Sequence, residues 1–592
     1  MASTGTQWTL RDYAFIGDGE RGALIGPRGD YAWMCAPHWD DDAVFGTLIG
    51  GTGTYAVTPS DPFVWGGYYE PRSLIWRSRW VTTTGIVECR EALAFPGRAD
   101  TVVVLRRIEA ARGQARVDVV LQPAAGFGHR HVRNIRRDDA TGCWLATVGS
   151  LRMRWAGAPE ARVIGGAPAD RALTTAVALH EGETVDLVLE LSDRELAVDP
   201  VSAPQAWTDT EKAWAEAIPR LGPTAAPRDA EHGYAVLRGM TTASGAMVAA
   251  ASMSLPERAD EGANYDYRYA WIRDQCYAGI AIAVDGPHEL VTTATTFVSE
   301  RLLADGPKLM PAYTGTGSPV PEQRKLDLAG YPGGYDLAGN HVRDQFQLDT
   351  FGEALLLFAA AARRDLLTGD SRQAIDIAVA AIEDNLDRPD AGIWELGEKH
   401  WTHSRLACAA GLRAAAGAGV TRDPGRLSTL ADHIVAETSR NSLHPSGRWQ
   451  RAPDDERVDA ALLLASVRGA VPADDPRSVA TYRAVQHELS RDHYLYRYRP
   501  ERGLGTSESA FLLCGFVMSL SALQQGHAVE AYRYFERNRA GCGTPGLFSE
   551  EYDIRERQLR GNLPQAFVHA LMFEASATLA QSTEDTTERN DP

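Results

Sequence analysis

Three stretches of the chain concentrate carboxylates, arginines and aromatic rings outside any regular period. The first, 264–274 (NYDYRYAWIRD), has six aromatic or arginine residues among its eleven. Flat rings beside Arg273 and Asp274 suit a sugar, whose C–H faces stack while charged groups bind its hydroxyls. Taken alone it has a plainer reading, with Asp274 capping the next helix and the rings filling core. The second is 392–405 (GIWELGEKHWTHSR), where Glu395 sits between Trp394 and Leu396. Burial there is expected to raise its pKa, and a carboxyl kept protonated near neutrality can give its proton to a leaving oxygen. A solvated loop glutamate is the alternative. The third is 546–553 (GLFSEEYD), followed by GNLPQAFVHA from Gly561. Pro564 suits the first turn of a helix, which puts Glu550 and Glu551 in the loop before it, between Phe548 and Tyr552. Two carboxylates on separate loops of one cavity suit glycosidic cleavage, one protonating the leaving oxygen and the other activating water.

Loops converge only if a scaffold brings them together. Up to about residue 204, period-two runs such as 101–107 (TVVVLRR), 115–121 (ARVDVVL) and 184–191 (TVDLVLEL) alternate with turn residues. They predict antiparallel strands with one solvated face, and in such number a β-sandwich. Beyond it the period is helical: Leu348, Phe351, Leu355 and Phe358 form one stripe. Twelve helical stretches are expected, near 232–242, 274–284, 287–304, 345–366, 371–387, 402–416, 424–441, 456–468, 476–490, 507–524, 526–540 and 564–581. Twelve suits an (α/α)6 barrel, six helices inside and six outside; an α-solenoid is disfavoured because no fixed repeat is found. The chain is therefore read as multi-domain. An N-terminal antiparallel β-sandwich (1–204) and a linker helix (205–231) precede an (α/α)6 barrel (232–582) and a disordered tail (583–592).

Composition narrows the chemistry. With 60 Lys+Arg against 78 Asp+Glu, the formal net charge of −18 repels phosphate backbones and anionic headgroups, so neither nucleic acid nor a membrane surface is an expected partner. No stretch has the roughly 20 continuous apolar residues of a membrane helix, and the first residues lack the features of a signal peptide. Seven scattered cysteines read as reduced core thiols of a cytoplasmic protein. No metal or other cofactor is expected: His400 and His403 are an isolated pair, and no glycine-rich phosphate loop joins a strand to a helix.

In this order, the three loops resemble those of glycoside hydrolase family 15, the glucoamylases, glucodextranases and certain bacterial trehalases. Stretch 12–51 is similar to the opening of the bacterial members' sandwich. Stretches 339–352 (GNHVRDQFQLDTFG), 458–464 (VDAALLL) and 496–514 (YRYRPERGLGTSESAFLLC) also resemble family segments, so the likeness covers nearly the whole chain. It implies an inverting, exo-acting α-glucosidase of glucoamylase type that releases β-glucose from non-reducing ends. Trehalase-like or isomaltose/dextran-specific hydrolysis, or non-catalytic sugar binding, are alternatives; a phosphorylase is disfavoured because it would need a phosphate site in place of the base. The resemblance makes Glu395 the general acid and Glu550 the general base, with Glu551 its rival. It assigns Arg273 and Asp274 to hydroxyls of the terminal glucose, Tyr267, Trp271 and Trp394 to the pocket wall, and Arg497 and Gln565 to weaker pocket roles. Leu396 replaces a second acidic residue of fungal glucoamylases, and GEKHWTHSR departs from the more basic RGxxRHFTxS of many bacterial relatives. Both departures fall where the leaving group should sit, and they leave the linkage open. The oligomeric state is open too, a homodimer being one option.

Overall fold

The computed structural model describes residues 7–258, 264–499 and 509–588. Its N-terminal part is the expected antiparallel sandwich. A four-stranded sheet (Ala14–Gly17, Gly22–Ile25, Tyr31–Cys35, Ala43–Phe45) faces a larger one organised around the 22-residue strand Thr101–Gln122. That strand serves two sets of neighbours. Its first half pairs with Gly85–Leu93 and Thr184–Ser192, its second with Thr54–Pro59 and Ala172–His180. The alternation is visible in burial: Val117, Val119 and Leu121 point into the core while Arg116 and Asp118 point out.

Thirteen α-helices follow among the described residues. Helix α1 (Ala203–Ala217) packs on the sandwich, with Trp214 stacked on Phe95 at 3.9 Å. The stretch read as one linker helix, 205–231, is two helices: α1 ends at Ala217; Pro219, Gly222 and Pro223 interrupt the stretch, and α2 (Pro227–Gly239) opens on a third proline. The remaining helices are α3 (Ile272–Asp285), α4 (Glu289–Asp305), α5 (Asp349–Ala362), α6 (Gly369–Asn385), α7 (Thr402–Gly417), α8 (Pro424–Ser442), α9 (Leu464–Val467), α10 (Pro476–Leu489), α11 (Leu512–Gln524), α12 (Ala528–Arg539) and α13 (Ala566–Glu588). Helices α3, α5, α7, α9, α11 and α13 touch in sequence and close a ring, with α2, α4, α6, α8, α10 and α12 outside it.

Burial explains which helix is which. In α5 not only the expected stripe but nearly every residue is buried, Asp349 and Glu353 included, as befits an inner helix walled on all sides. Outer helices such as α12 keep one polar face. The inner helices approach closely where side chains vanish: a Cβ on Gly411 of α7 would lie 2.3 Å from the Gly352 carbonyl oxygen of α5.

Three details differ from expectation. The stretch 456–468 is a 3-10 turn (Ala460–Leu463) running into the four-residue α9, because the Asp459 side chain caps the Ala461 amide and fixes a late start. Pro564 precedes α13 rather than opening it. Helix α13 continues to Glu588, so the first six positions of the expected tail are helical, while 589–592 lie outside the described residues. No helix among the described residues is long and apolar enough to cross a membrane.

Candidate active site

The residues of interest all precede or open inner helices. Trp271, Arg273 and Asp274 lie at the start of α3, Gln347 before α5, Glu395 in the loop before α7, Phe511 before α11, and Glu550 and Gln565 before α13. Inner-helix N-termini thus gather at one barrel end, where their partial positive charge suits carboxylates and sugar oxygens. A cavity of about 190 Å³ opens there. Its wall contains Tyr267, Trp271, Arg273, Asp274, Trp394, Glu395, Arg497, Glu550 and Gln565, every position singled out from the sequence apart from Glu551. Positions 500–508 of the stretch 496–514 lie outside the described residues.

The sandwich helps shape this wall. Arg268, on the 264–274 segment, is fully buried in an ion pair with Asp266. Its guanidinium also donates to the carbonyls of Trp39 (3.1 Å) and Asp41 (2.6 Å), on a loop of the N-terminal domain. Tyr267 on one side of Arg268 and Trp271 on the other are thereby set edge to face, 5.4 Å apart.

Glu395 sits in a tight turn after Gly392, with φ of +53°, a conformation non-glycine residues seldom adopt. Its carboxyl is one-fifth exposed, and three donors converge on Oε1: Trp271 Nε1 at 2.7 Å, Gln347 Nε2 at 3.3 Å and Arg273 Nη2 at 3.4 Å. A proton on this carboxyl therefore belongs on Oε2. Neighbouring Trp394 is held by its indole N–H against Asp459 (2.8 Å), and Asp459 also accepts from Arg451.

Asp274 is not a cap. It stands in the first turn of α3, nearly buried yet on the cavity wall. Burial pushes its carboxyl up to about 7, against the pull of Arg273 and with the help of Glu395. Arg273 is tied down by Gln347 (2.8 Å) and Asp349 (3.4 Å), which fixes the guanidinium at the cavity floor.

Glu550 and Glu551 part company. Glu551 belongs to the strand Glu551–Asp553, is fully buried and pairs with Arg497 at 2.8 Å. Glu550 borders the cavity, with Tyr267 Oη 3.4 Å from its Oε1. Burial, then the charge of Glu257, push its carboxyl well above the usual range. The loop holding it is anchored by the Phe548 amide donating to His569 Nε2 and by the Gln565 amide donating to the Phe548 carbonyl.

Sequence reasoning missed several wall residues: Glu257, Tyr265, His341, Phe511 and Phe567. Gln347 and His341 lie inside the 339–352 stretch already marked by resemblance, so a signal existed for them. Glu257 follows SLP with no ring or arginine before it, and nothing local distinguishes it. As a whole the cavity brings carboxyls, a guanidinium and ring faces together, the groups that glycosidic cleavage uses.

Comparison with known proteins places the chain in a family. The chain is 27% identical to a trehalase of Mycolicibacterium smegmatis, covering 97% of this chain and 92% of that one. It is also 27% identical to a trehalase of Mycobacterium tuberculosis, over 97% and 90%. Its fold matches a bacterial glucoamylase complexed with acarbose, with a TM-score of 0.68 at 13% identity, covering 97% of this chain and 95% of that one. Residues 6–214 fit the family description "Trehalase-like, N-terminal". Residues 232–577, which contain the three cavity glutamates, fit "Glycosyl hydrolases family 15", and the chain belongs to that family of glycoside hydrolases.

Proposed function

We propose that the protein is an inverting, exo-acting α-glucoside hydrolase whose substrate is trehalose. The observation that carries the reading is that Glu395 and Glu550 border one small cavity together with Arg273 and Asp274. In this reading Glu395 is the general acid, its Oε1 held by three donors and its Oε2 left to protonate the glycosidic oxygen. Glu550 is the general base, preferred to Glu551 because Glu551 is fully buried and ion-paired with Arg497. Water held by Glu550 attacks the anomeric carbon from the face opposite the leaving group, which inverts the anomer.

Arg273 and Asp274 bind hydroxyls of the terminal glucose, Tyr267, Trp271 and Trp394 line its ring, and Arg497 and Gln565 complete the wall. A cavity of about 190 Å³ falls below the roughly 300–1,000 Å³ of sites for larger ligands, which supports a terminal sugar and exo action. Trehalose is preferred to an α-1,4 chain because the relatives that align over nearly their whole length are named trehalase.

The test is hydrolysis of trehalose, maltose, isomaltose and soluble starch, with fresh products followed by proton NMR. Inversion of α,α-trehalose yields equal amounts of α- and β-glucose at early times, whereas retention yields α-glucose only. Faster turnover of maltose than of trehalose would overturn the substrate, and exclusive α-glucose would overturn the mechanism.

A further inference from the structure

Glu550 Oε2 is buried, and no described donor reaches it. Its neighbour is Glu257, 3% exposed and on the same cavity wall. The two side chains meet beside Gly561: a Cβ placed there would stand 3.3 Å from Glu550 Oε2 and 3.7 Å from Glu257 Cγ. On their other flank, Tyr267 Oη lies 3.3 Å from Glu257 Oε1 and 3.4 Å from Glu550 Oε1.

These contacts make a proton inventory. Ionised carboxyls only accept, and the tyrosine has one hydrogen to give. It satisfies one carboxyl; its contact with the other is repulsive unless that carboxyl carries a hydrogen. Glu550 Oε2, walled off from water, has the same need. Nearby positive charge does not remove it. Arg497 lies 3.3 Å from Glu257 Oε2 but closer, 2.8 Å, to Glu551, so one guanidinium is shared by two carboxyls while Glu550 feels only its charge. Among the described residues, the other ionisable groups near the pair are Tyr265 and Tyr267, with Arg258, Arg273, Asp274, His341, Glu395 and Tyr498 on the shared cavity wall. Two like charges this close in a dry wall retain one proton between them.

We infer that Glu257 and Glu550 form a carboxyl pair sharing one proton through Glu550 Oε2, so that Oε1 takes the proton of the attacking water while Glu257 holds the shared one. The inference rests on Glu550 being the base. In the step, the water oxygen bonds to the anomeric carbon and its proton passes to Glu550 Oε1. The bond from that carbon to the leaving oxygen breaks, and the oxygen takes the proton of Glu395. The pair ends with two protons and Glu395 ionised; release of one proton to solvent and uptake of one by Glu395 restore the start. Glu257 reaches the water only through Glu550, which makes it a positioning residue.

The experiment is the pH profile of kcat/KM for trehalose in wild type, Glu257→Gln, Glu257→Asp and Glu550→Gln. Glu257→Gln is as neutral as the protonated glutamate it replaces, but its amide is a weaker donor to Oε2 and cannot share the proton, so the Glu550 carboxylate is less stabilised. The acidic limb is expected to move up by about one pH unit, and Glu257→Asp to move it back toward wild type. An unmoved limb in a folded Glu257→Gln, beside an inactive Glu550→Gln, overturns the pair and leaves the base reading intact; an active Glu550→Gln overturns both. Should Glu257→Gln fail to fold, the infrared difference between wild type and Glu550→Gln at neutral pH decides. A protonated-carboxyl stretch lost in Glu550→Gln supports the shared proton, and its absence from wild type overturns it.

Discussion

Trp271 Nε1 donates to Glu395 Oε1 over 2.7 Å, the shortest of three contacts that fall on the same carboxyl oxygen. The indole fixes where the carboxyl points and, with Glu395 as the proposed acid, leaves the proton to Oε2. Trp271→Phe keeps a ring on the wall but removes that donor. A hydrogen bond to a charged group contributes about 1.5–3 kcal/mol, so kcat for trehalose is expected to fall roughly 10- to 150-fold. Steady-state kinetics beside a thermal melt checks this; an unchanged kcat in a folded variant would show that Gln347 and Arg273 suffice.

Asp274 makes stability and binding pull in opposite directions. Its folded pKa of about 7 lies above the ordinary 3.8, so the fold favours the neutral acid. Its contribution is fully present below pH 3.8, declines as pH rises from there, and is lost above about pH 7. At 1.36 kcal/mol per unit, the charged form costs the fold up to about 4 kcal/mol. Asp274→Asn is therefore expected to melt higher than wild type at pH 8.5, with the advantage shrinking at pH 5. The same variant should bind trehalose more weakly, since an amide replaces an acceptor for hydroxyls. Melting curves at the two pH values, beside KM, test both halves.

Arg268 is the residue through which the sandwich reaches the site. Burying a guanidinium costs several kcal/mol, and here Asp266, the Trp39 and Asp41 carbonyls and Cys35 Sγ offset it. Arg268→Met leaves Asp266 as an uncompensated buried charge. A loss of about 3–5 kcal/mol is expected, with the 264–274 segment loosened and activity lost with it. Denaturant unfolding of the two proteins gives the difference directly.

The architecture was legible in the chain because both periods are strong. Val117, Val119 and Leu121 alternate with Arg116 and Asp118, and twelve helical stretches answer to α2–α13. Failures cluster where a side chain overrides periodicity: Asp459 delaying a helix start, and Pro219 and Pro223 cutting one short. The site was legible in part, since Trp271, Arg273 and Trp394 advertise themselves by type. Glu257, Asp390 and Gln347 act through partners 48 to 293 positions away or across helix ends, and no local pattern encodes such a meeting.

Asp390 shows how the loop that carries Glu395 is held. Its Oδ2 accepts from the Gly392 amide (3.1 Å), the Ser404 hydroxyl (2.7 Å) and, more distantly, the Leu348 amide (3.4 Å), while Oδ1 pairs with Arg405. One carboxylate thus joins the N-terminal ends of α5 and α7 to the turn that carries Glu395 at its unusual φ. Arg405, the last residue of the GEKHWTHSR stretch, also donates to the Leu386 and Arg388 carbonyls, so that stretch contains a structural brace. Asparagine at 390 cannot accept from every donor and presents an amide to Arg405. Because Arg273 and Asp274 are untouched, KM should change little, whereas kcat is expected to fall by about one to two orders of magnitude as Glu395 loses its fixed position. If Asp390→Asn instead raises KM at constant kcat, the loop shapes the sugar pocket and not the acid, and the brace has a different purpose.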